Sequence, residues 1–416
     1  MCLRGSVSVV ADKSISHRAL ILSSLAHGKS YIKNLSPSED VKRTLNAVKL
    51  TGAKIRKVGE GIEIESGFKK EPDRPIYCGN SGTTARLMLG AISGFNLYAT
   101  FYGDRSLSRR PMKRVTHPLS LMGARISGRS DAELLPLSVV GGNLKGITYR
   151  LPVASAQVKS AILLAGLNAR GVTTVTEPAR SRDHTERMLA FMGASISISG
   201  NKVSVRKSVL NPMEFKIPGD FSAASFLITL GVLHRDADFI IKDVNLNPTR
   251  TGFLKILEKM GCPLEIEVFK TGPEPVGEIR VKSCRNLHGS EIGGDLIPQA
   301  IDELPLLAIL GVFAEGKTIL KDAGELRHKE SDRISAIVSE LKKLGVKIEE
   351  MEDGFIVHNS RIRDTATLYS HKDHRIAMAL EVLRQVSSLD FEIMGTEWVK
   401  ISFPDFYEKI KELKKC

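Results

Sequence analysis

Along the chain, apolar stretches with helical spacing alternate with short stretches in which apolar and polar residues alternate. This pattern predicts helices and short strands in turn, as in an α/β protein. Five of the helical stretches end in a glycine that precedes a strand-like segment, at Gly52, Gly123, Gly193, Gly261 and Gly345. Glycine suits that place because the residue that ends a helix commonly adopts a left-handed conformation, which strains other residues.

The same glycines mark an internal repeat. They follow one another at intervals of 71, 70, 68 and 84 residues. A period of about 70 residues is longer than that of solenoid repeats and leaves room for strands and two helices in each unit. We expect a sixth unit around residues 378–393, where the helical stretch lacks the glycine. The stretch 217–219, marked by Pro and Gly, is the candidate crossing between two domains.

Polar turns precede several of the predicted helices, as in VVADKSISHRAL, CGNSGTTARL, VASAQVKSAI and HKDHRIAMAL. Their Ser, Thr and Asp residues are typical helix N-caps. The exposed backbone N–H groups at such a start also suit a phosphate or carboxylate. Ordinary capping explains any one of them, but several in one chain, each with Lys or Arg, favour a cleft for anions.

Composition narrows the class of protein. The chain has 416 residues, 60 Lys and Arg against 47 Asp and Glu, a net charge of +13 and five cysteines. A small polyanionic substrate and nucleic acid are both candidate partners for such a chain. The cysteines are widely spaced without a CxxC pair, which argues against a disulfide framework or a thiolate zinc site and predicts a reducing cytoplasm. No apolar stretch reaches the length of a membrane span, and the N-terminus does not read as a secretory signal.

Three segments place cations or a close backbone approach at helix starts. Ser14 and Arg18 are four residues apart, so they face one side of the first helix and could reach one ligand with Lys13. Gly82 permits close approach to a ligand, although no P-loop is present. Arg110 precedes a proline that fixes where it points. Solvated cations on capped helices are the alternative for each.

Two segments near the C-terminal end carry carboxylates suited to proton transfer. Asp302 stands against an apolar run, and burial of such a carboxylate would raise its pKa. Lys329 and Arg333 are four residues apart and would share a helix face, with Glu330 at its edge. A salt-bridged surface helix is the alternative. The spacing of His371 and His374 does not indicate a metal site, because no third ligand is near.

Taken together, DKSISHRA, GNSGTTAR, the Arg-Arg-Pro loop, SAQ, SRDHTERM, IDELP, KESDR and KDHRIAMA stand in the order and spacing of one family. From about Leu3 to its C-terminus, the chain resembles the 5-enolpyruvylshikimate-3-phosphate synthases. The resemblance implies two similar domains, each of three βαβαββ units, in an inside-out α/β barrel with the active site in the cleft between domains. One domain would hold residues 12–219 and the other residues 1–11 and 220–416.

The resemblance also implies the reaction and the site. Phosphoenolpyruvate would give its enolpyruvyl group to the 5-hydroxyl of shikimate 3-phosphate by addition and elimination, without metal or organic cofactor. The implied catalytic residues are Lys13, Asp302 and Glu330. The implied ligands of shikimate 3-phosphate are Lys13, Ser14, Arg18, Ser155, Ala156, Gln157, Arg182, Asp302 and Lys329. Those of phosphoenolpyruvate are Lys13, Gly82, Arg110, Gln157, Arg333 and Arg375.

Some positions depart from the family pattern. A lysine that touches phosphoenolpyruvate in some members falls on Ile401, and Lys400 is one residue away. Glu325 stands where some members have asparagine, and Ala156 replaces a serine, so it could bind only through its backbone. Gly82 is the position at which a larger residue would crowd glyphosate, so we expect this inhibitor to act.

Two other functions compete with this interpretation. The sister enzyme, UDP-N-acetylglucosamine enolpyruvyl transferase, usually carries a cysteine shortly before the Arg-Pro position, and residues 103–111 contain none. A nucleic-acid-binding protein would need a basic patch interleaved with aromatic residues, but these make up 6% of the chain. We therefore expect small anionic substrates as partners, no nucleic acid or membrane, and a monomer.

Overall fold

The computed structural model describes residues 2–387 and 389–414, with the backbone alone at 270 and 271. Contacts along the chain divide these residues into two compact units. The N unit consists of residues 11–217 together with 272–274. The C unit consists of the remaining described residues, 2–10, 218–271 and 275 onwards. The functional domain boundaries at residues 11/12 and 219/220 stay a prediction.

The helices and strands follow each other along both units. The helices are α1 Lys13–Leu25, α2 Glu39–Leu50, α3 Gly82–Ser93, α4 Lys113–Met122, α5 Arg129–Ala132, α6 Ala156–Gly166, α7 His184–Phe191, α8 Phe221–Leu233, α9 Gly252–Lys259, α10 Leu296–Ala300, α11 Leu304–Phe313, α12 Arg333–Lys343, α13 His374–Val386 and α14 Phe406–Leu413. The strands of the N unit are β2 Lys29–Lys33, β3 Lys54–Val58, β4 Gly61–Glu65, β5 Ile76–Tyr77, β6 Tyr98–Tyr102, β7 Arg125–Gly128, β8 Leu134–Val140, β9 Thr148–Arg150, β10 Val172–Thr176, β11 Ile196–Ser199, β12 Lys202–Arg206 and β13 Glu214–Lys216. Those of the C unit are β1 Leu3–Ser8, β14 Ala237–Asn245, β15 Glu265–Thr271, β16 Pro275–Lys282, β17 Glu291–Ile292, β18 Lys317–Leu320, β19 Ile348–Met351, β20 Gly354–His358, β21 Leu368–Tyr369 and β22 Ile393–Met394. Short 3₁₀ helices occupy Leu107–Arg109, Gly324–His328 and Thr396–Ile401.

One sheet topology recurs in both units. In the sheet β5-β6-β8-β7, the first two strands are parallel and each following pair is antiparallel. The N unit repeats this arrangement in β13-β2-β4-β3 and β9-β10-β12-β11, and the C unit in β1-β14-β16-β15 and β17-β18-β20-β19. The sheet β21-β22 has two parallel strands next to α13, where the sixth unit is expected. The prediction of an α/β protein built from repeated units is confirmed.

The repeat glycines close their helices as the sequence predicts. Gly52, Gly123, Gly193, Gly261 and Gly345 have φ angles of 99°, 111°, 80°, 81° and 73°. These angles lie in the left-handed region, which favours glycine because a Cβ would clash with the neighbouring carbonyl. The α/β order therefore rests on a local signal that the sequence carries directly.

Each unit has its own apolar core. In the C unit, α8 and α11 are buried on nearly all sides, which explains why their sequences FSAASFLITLGVL and LPLLAILGVF are apolar throughout. In the N unit, α3 and α6 pack so closely that a Cβ added to Gly90 would lie 2.3 Å from the carbonyl oxygen of Ala161. The starts of α3 and α6 carry the predicted site residues Gly82, Ser155, Ala156 and Gln157.

The strand β1 is contributed to the C unit by the beginning of the chain. It pairs in parallel with β14, in a register that joins Leu3 to Ala237 and Ser8 to Lys242. Leu3 and Val7 are buried in the core of that unit. The first strand is therefore a structural member of the C unit, although the N unit follows it directly in sequence.

Cysteine pairing differs in part from expectation. Cys78, Cys262 and Cys284 are free, whereas Cys2 is disulfide-bonded. The wide cysteine spacing did not reveal that bond, because spacing along the chain does not show which thiols meet in space. In the described part of the chain, no helix has both the length and the apolar character to cross a membrane.

Candidate active site

The predicted site residues fall into two groups, one in each unit. The N unit holds Lys13, Ser14, Arg18, Gly82, Arg110, Ser155, Ala156, Gln157 and Arg182. The C unit holds Asp302, Lys329, Glu330, Arg333 and Arg375.

In the N unit, α1 begins at Asp12, whose side chain accepts a hydrogen bond of 2.8 Å from the backbone N–H of Ile15. This N-cap fixes the first turn, so Lys13 follows it at the start of the helix. The ammonium of Lys13 lies 3.0 Å from a carboxylate oxygen of Asp40 in α2. Both side chains retain some exposure, 18% and 16%. Lys13 is therefore oriented by a carboxylate and still accessible to a ligand.

Arg18 lies one turn further along α1 and is almost fully buried. Its guanidinium donates to the carbonyl oxygen of Ser14 at 2.9 Å, to the hydroxyl of Ser160 at 2.9 Å and to the hydroxyl of Thr185 at 2.7 Å. All three acceptors are uncharged oxygens. Burial lowers the pKa of Arg18 to about 10, against the opposing charge of Glu186, and the positive charge of Arg182 contributes to the lowering. Arg18 and Arg182 therefore form a cationic pair suited to an anion.

Ser160 and Thr185 are next in sequence to Lys159 and Glu186, two members of a buried charged cluster. Lys159 lies 2.6 Å from a carboxylate oxygen of Glu177 and 2.7 Å from one of Glu186, and all three side chains are at most 2% exposed. Burial raises the pKa of Glu186, although Lys159 opposes that rise. Sequence analysis missed this cluster, because its members are 9 to 27 residues apart and no local pattern joins them.

Gly82 and Gln157 are brought together through Arg86. The guanidinium of Arg86 donates to the side-chain oxygen of Gln157 at 2.6 Å, and the amide of Gln157 donates to the hydroxyl of Thr83 at 2.9 Å. A Cβ added to Gly82 would lie 2.9 Å from the same guanidinium. Arg86 was part of the segment GNSGTTAR but was not selected from the sequence. Its spacing of four residues from Gly82 is the signal that could have found it.

The remaining N-unit residues occupy nearby helix starts. Arg110 donates to the side-chain oxygen of Asn80 at 2.5 Å, which ties the Arg-Arg-Pro loop to the segment before Gly82. Ser155 caps α6, accepting from the N–H of Val158 at 3.5 Å. Ala156 is the first residue of α6, and its carbonyl oxygen accepts from Ser160 at 2.6 Å. Arg182 is half-buried just before α7.

In the C unit, Arg333 lies among three carboxylates. Its guanidinium lies 2.6 Å from Glu330, 2.8 Å from Asp373 and 3.4 Å from Asp302. Burial alone would lower the pKa of Arg333, but the negative charges of Asp373, Glu330 and Asp302 raise it above the usual value. Arg333 therefore stays charged, and it holds Asp302 and Glu330 close to each other.

Arg375 joins the same group at the start of α13. Its backbone N–H donates to Asp373 at 2.8 Å, and its guanidinium lies 3.7 Å from Asp302. Burial would raise the pKa of Asp373, but the charge of Arg333 lowers it overall. The anionic side chain of Asp373 thus accepts hydrogen bonds from both arginines. Arg333 donates through its guanidinium, and Arg375 donates through its backbone N–H.

Lys329 departs from the predicted helix face. The helix α12 begins only at Arg333, because Asp332 caps it and accepts from the N–H of Ser335 at 3.1 Å. Lys329 has extended backbone angles of −89° and −153° and lies outside the helix. The prediction that Lys329 and Arg333 share a helix face is therefore wrong. The predicted alternative of a surface helix is also wrong for Arg333, which is buried.

Comparison with known proteins shows the family to which the chain belongs. The family model described as EPSP synthase (3-phosphoshikimate 1-carboxyvinyltransferase) matches residues 2–410. The chain is 49% identical to the 3-phosphoshikimate 1-carboxyvinyltransferase of Thermodesulfovibrio yellowstonii over 421 aligned positions, covering 99% of this chain and 98% of that protein. It is 44% identical to the enzyme of that name from Bacillus subtilis, with the same two coverages.

Solved structures show the same relationship. An EPSP synthase from Acinetobacter baumannii superposes with a TM-score of 0.88 at 40% identity, over 99% of this chain and 96% of that one. The enolpyruvyl transferase NikO from Streptomyces tendae shares the fold, with a TM-score of 0.77 at 17% identity, over 99% of this chain and 95% of that one. With its repeated α/β units and its sequence matched over nearly the whole length, the chain belongs to the EPSP synthase family, the 3-phosphoshikimate 1-carboxyvinyltransferases.

Proposed function

We propose that this enzyme transfers the enolpyruvyl group of phosphoenolpyruvate to the 5-hydroxyl of shikimate 3-phosphate through the residues described above. The observation that carries the proposal is the state of Arg18. It is nearly fully buried, yet its hydrogen bonds go to two hydroxyls and a carbonyl. A buried cation is costly unless an anion compensates it. The phosphate or carboxylate of shikimate 3-phosphate supplies such an anion.

The half-buried Arg182 supports the same assignment, because its charge already lowers the pKa of Arg18. Two neighbouring cations repel each other until an anion joins them, so the ligand binds more tightly than either arginine alone would allow. Ser14, Ser155, the backbone of Ala156 and Gln157 would add uncharged hydrogen bonds. Lys329 would complete the contacts to shikimate 3-phosphate from the C unit.

Phosphoenolpyruvate would be bound by arginines, whose planar guanidinium grips carboxylate and phosphate through two hydrogen bonds. Arg333 and Arg375 would serve in the C unit, and Arg110, Gln157 and the backbone of Gly82 in the N unit. Asp373 supports this role, since its carboxylate accepts hydrogen bonds from the guanidinium of Arg333 and from the backbone N–H of Arg375.

The chemistry requires two proton transfers at one carbon. In the addition step, the 5-hydroxyl oxygen bonds to C2 of phosphoenolpyruvate, loses its proton, and C3 gains one to become a methyl group. In the elimination step, C3 gives up a proton, the C2–C3 double bond re-forms and the C2–O bond to phosphate breaks. Lys13, Asp302 and Glu330 are the groups we assign to these transfers, which positioned acids and bases accelerate about 10²–10⁴-fold.

The first experiment measures phosphate release from phosphoenolpyruvate by the purified enzyme. We expect release with shikimate 3-phosphate and none with UDP-N-acetylglucosamine. The absence of cysteine from residues 103–111 and the names of the relatives disfavour the nucleotide sugar. Release with the sugar alone would refute the proposed substrate.

A second experiment assigns the protons. The variants Lys13→Met, Asp302→Asn and Glu330→Gln are incubated in D₂O with both substrates, and deuterium at C3 of the recovered phosphoenolpyruvate is counted. Replacing the residue that transfers the proton at C3 should abolish both exchange and turnover. Replacing the base that accepts the proton of the 5-hydroxyl should slow the addition step. Lys42→Met, which alters an exposed pair with Glu39, is the matched control. Turnover in all three site variants equal to that of the control would overturn the assignment.

The remaining expectations concern partners. We propose that the enzyme acts as a monomer in the cytoplasm on its two anionic substrates, without metal, organic cofactor, nucleic acid or membrane. Light scattering during size-exclusion chromatography tests the monomer, and cell fractionation tests the location. Activity that survives dialysis against a chelator is expected, and its loss with recovery on adding a divalent cation would refute the metal-free reaction.

A further inference from the structure

A buried ion pair lies behind the C-unit site and has no role in the functions assigned so far. Arg250 binds Glu303 through two hydrogen bonds of 2.7 and 2.8 Å, and the side chains are 2% and 0% exposed. A buried pair of this kind commonly stabilises a fold no better than apolar residues of the same volume. The ion pair therefore matters for the side chains that it holds in place.

The pair holds the hydroxyl of Ser222, the second residue of α8. Ser222 donates to Glu303 and accepts from Arg250 and from Arg375, the last at 2.8 Å. A hydroxyl has one proton and two acceptor positions, so these three contacts use its full capacity. Because Glu303 takes the proton, the oxygen must present its lone pairs to the two arginines. The ion pair thus fixes the direction in which Ser222 can accept.

This hydroxyl is the closest polar side-chain group to the guanidinium of Arg375 among the contacts that the structure describes. The carboxylates of Asp302 and Glu303 lie farther away, at 3.7 and 3.8 Å. A neutral acceptor in direct contact orients the guanidinium without neutralising it. Both carboxylates lie beyond hydrogen-bond distance of Arg375, and Glu303 accepts its hydrogen bonds from Arg250 and Ser222 instead.

We infer that Ser222, held by Arg250 and Glu303, is a positioning residue that orients Arg375 toward phosphoenolpyruvate. The inference rests on the proposed role of Arg375 in binding that substrate. It assigns to Ser222 no contact with the reacting atoms. Its effect should therefore fall on phosphoenolpyruvate and leave shikimate 3-phosphate nearly untouched.

The test compares Ser222→Ala with Ser225→Ala. Ser225 lies one turn further along α8, is equally buried, and donates to the carbonyl oxygen of Ser222. Ser222→Ala should raise the KM for phosphoenolpyruvate about tenfold, which corresponds to about 1.4 kcal/mol, within the range of a hydrogen bond to a charged group. The KM for shikimate 3-phosphate should stay within about twofold. Ser225→Ala should change neither value.

An isosteric pair isolates the hydroxyl in case the alanine variant is too unstable for kinetics. Ser222→Thr keeps the hydroxyl, and Ser222→Val replaces it with a methyl group of the same shape. We expect the threonine variant to retain a low KM for phosphoenolpyruvate and the valine variant to lose it. Equal KM values in the two would overturn the inference.

A double-mutant cycle with Arg375→Lys separates the possible failures. If Ser222 acts through Arg375, Ser222→Ala should add little to the defect of Arg375→Lys. Additive effects, or an equal rise in both KM values, would overturn the inference alone. An unchanged KM for phosphoenolpyruvate in Arg375→Lys would refute the role of Arg375 and the inference with it. A wild-type enzyme without phosphate release would instead refute the proposed function.

Discussion

The buried charged cluster of the N unit offers the sharpest test of how its site is supported. Replacing Lys159 with methionine keeps most of the side-chain volume and removes the charge. Glu177 and Glu186 then remain buried at 2% and 1% exposure without the ammonium that lies 2.6 and 2.7 Å away. Removing one partner of a buried ion pair typically costs about 3–5 kcal/mol. Because two glutamates lose the same partner, we expect the upper part of that range.

The expected change in melting temperature follows from the size of the unit. A domain of about 200 residues shifts by about 2–4 °C for each kcal/mol. At about 4–5 kcal/mol, Lys159→Met should therefore lower the melting transition of the N unit by roughly 8 to 20 °C. Differential scanning calorimetry is the appropriate assay, because it resolves the transitions of two units if they melt separately.

The same variant should acquire a characteristic pH dependence. Burial already raises the pKa of Glu186 in the wild type, and removing Lys159 raises it further. A carboxyl whose folded-state pKa is raised binds a proton more readily in the folded than in the unfolded chain. The variant should therefore be least affected near pH 4.5, and its melting temperature relative to the wild type should fall as pH rises.

The control is Lys42→Met, which removes an exposed partner of Glu39 and should leave the melting temperature nearly unchanged. A Lys159→Met variant that melts with the wild type, or whose deficit does not grow between pH 5 and pH 8, would refute the argument. Such a result would mean that the glutamates find other partners once the lysine is gone.

Three further predictions follow from close approaches and burial. Glyphosate should inhibit the wild-type enzyme at low phosphoenolpyruvate. Gly82→Ala should raise both the inhibitory concentration of glyphosate and the KM for phosphoenolpyruvate, because the added Cβ would lie 2.9 Å from the guanidinium of Arg86. Unchanged steady-state kinetics in this variant would contradict the prediction. Gly90→Ala should lower the melting temperature by several degrees, since the added Cβ would lie 2.3 Å from a carbonyl oxygen of α6. The control is Gly200→Ala, on an open turn at positive φ, which measures the effect of backbone strain without a steric clash. Burial lowers the pKa of His17 to about 3, so the stabilising effect of the neutral imidazole is complete above pH 6.5 and is lost as pH falls toward 3. His17→Asn should therefore reduce the fall in melting temperature between pH 6.5 and pH 3. A fall equal to that of the wild type would refute this prediction.

Local signals along the chain predict the order of elements well. The glycines that end five helices and the polar residues that cap their starts act within a few residues, so the sequence alone shows them. Ser14 and Arg18 were predicted to face one side of the first helix for the same reason, since a helix fixes which residues meet four positions apart. In the structure, Arg18 donates to the carbonyl oxygen of Ser14. The helix at Lys329 was mispredicted because Asp332 is the N-cap, so the helix begins at Arg333, four residues later than charge spacing suggested.

Long-range contacts account for what the sequence did not show. Thr185 meets Arg18 across 167 positions, and Ser222 meets Glu303 across 81. No spacing rule joins such pairs, because only the stacking of repeated units brings them together. The disulfide bond of Cys2 was not predicted, for the same reason. The residues proposed to contact ligands were expected from the family resemblance, whereas the contacts that hold them in place emerged from the fold.

The position of β1 has a consequence for how the protein is made. Leu3 is synthesised before its partner in β14, since Ala237 follows 234 residues later in the chain. At about 5–20 residues per second, the ribosome needs roughly 10 to 50 s to supply that partner. Throughout that time the apolar face of β1 has no sheet to join, while the chain that follows it can already fold as the N unit. Synthesis rate and chaperone access to β1 should therefore govern the yield of native enzyme.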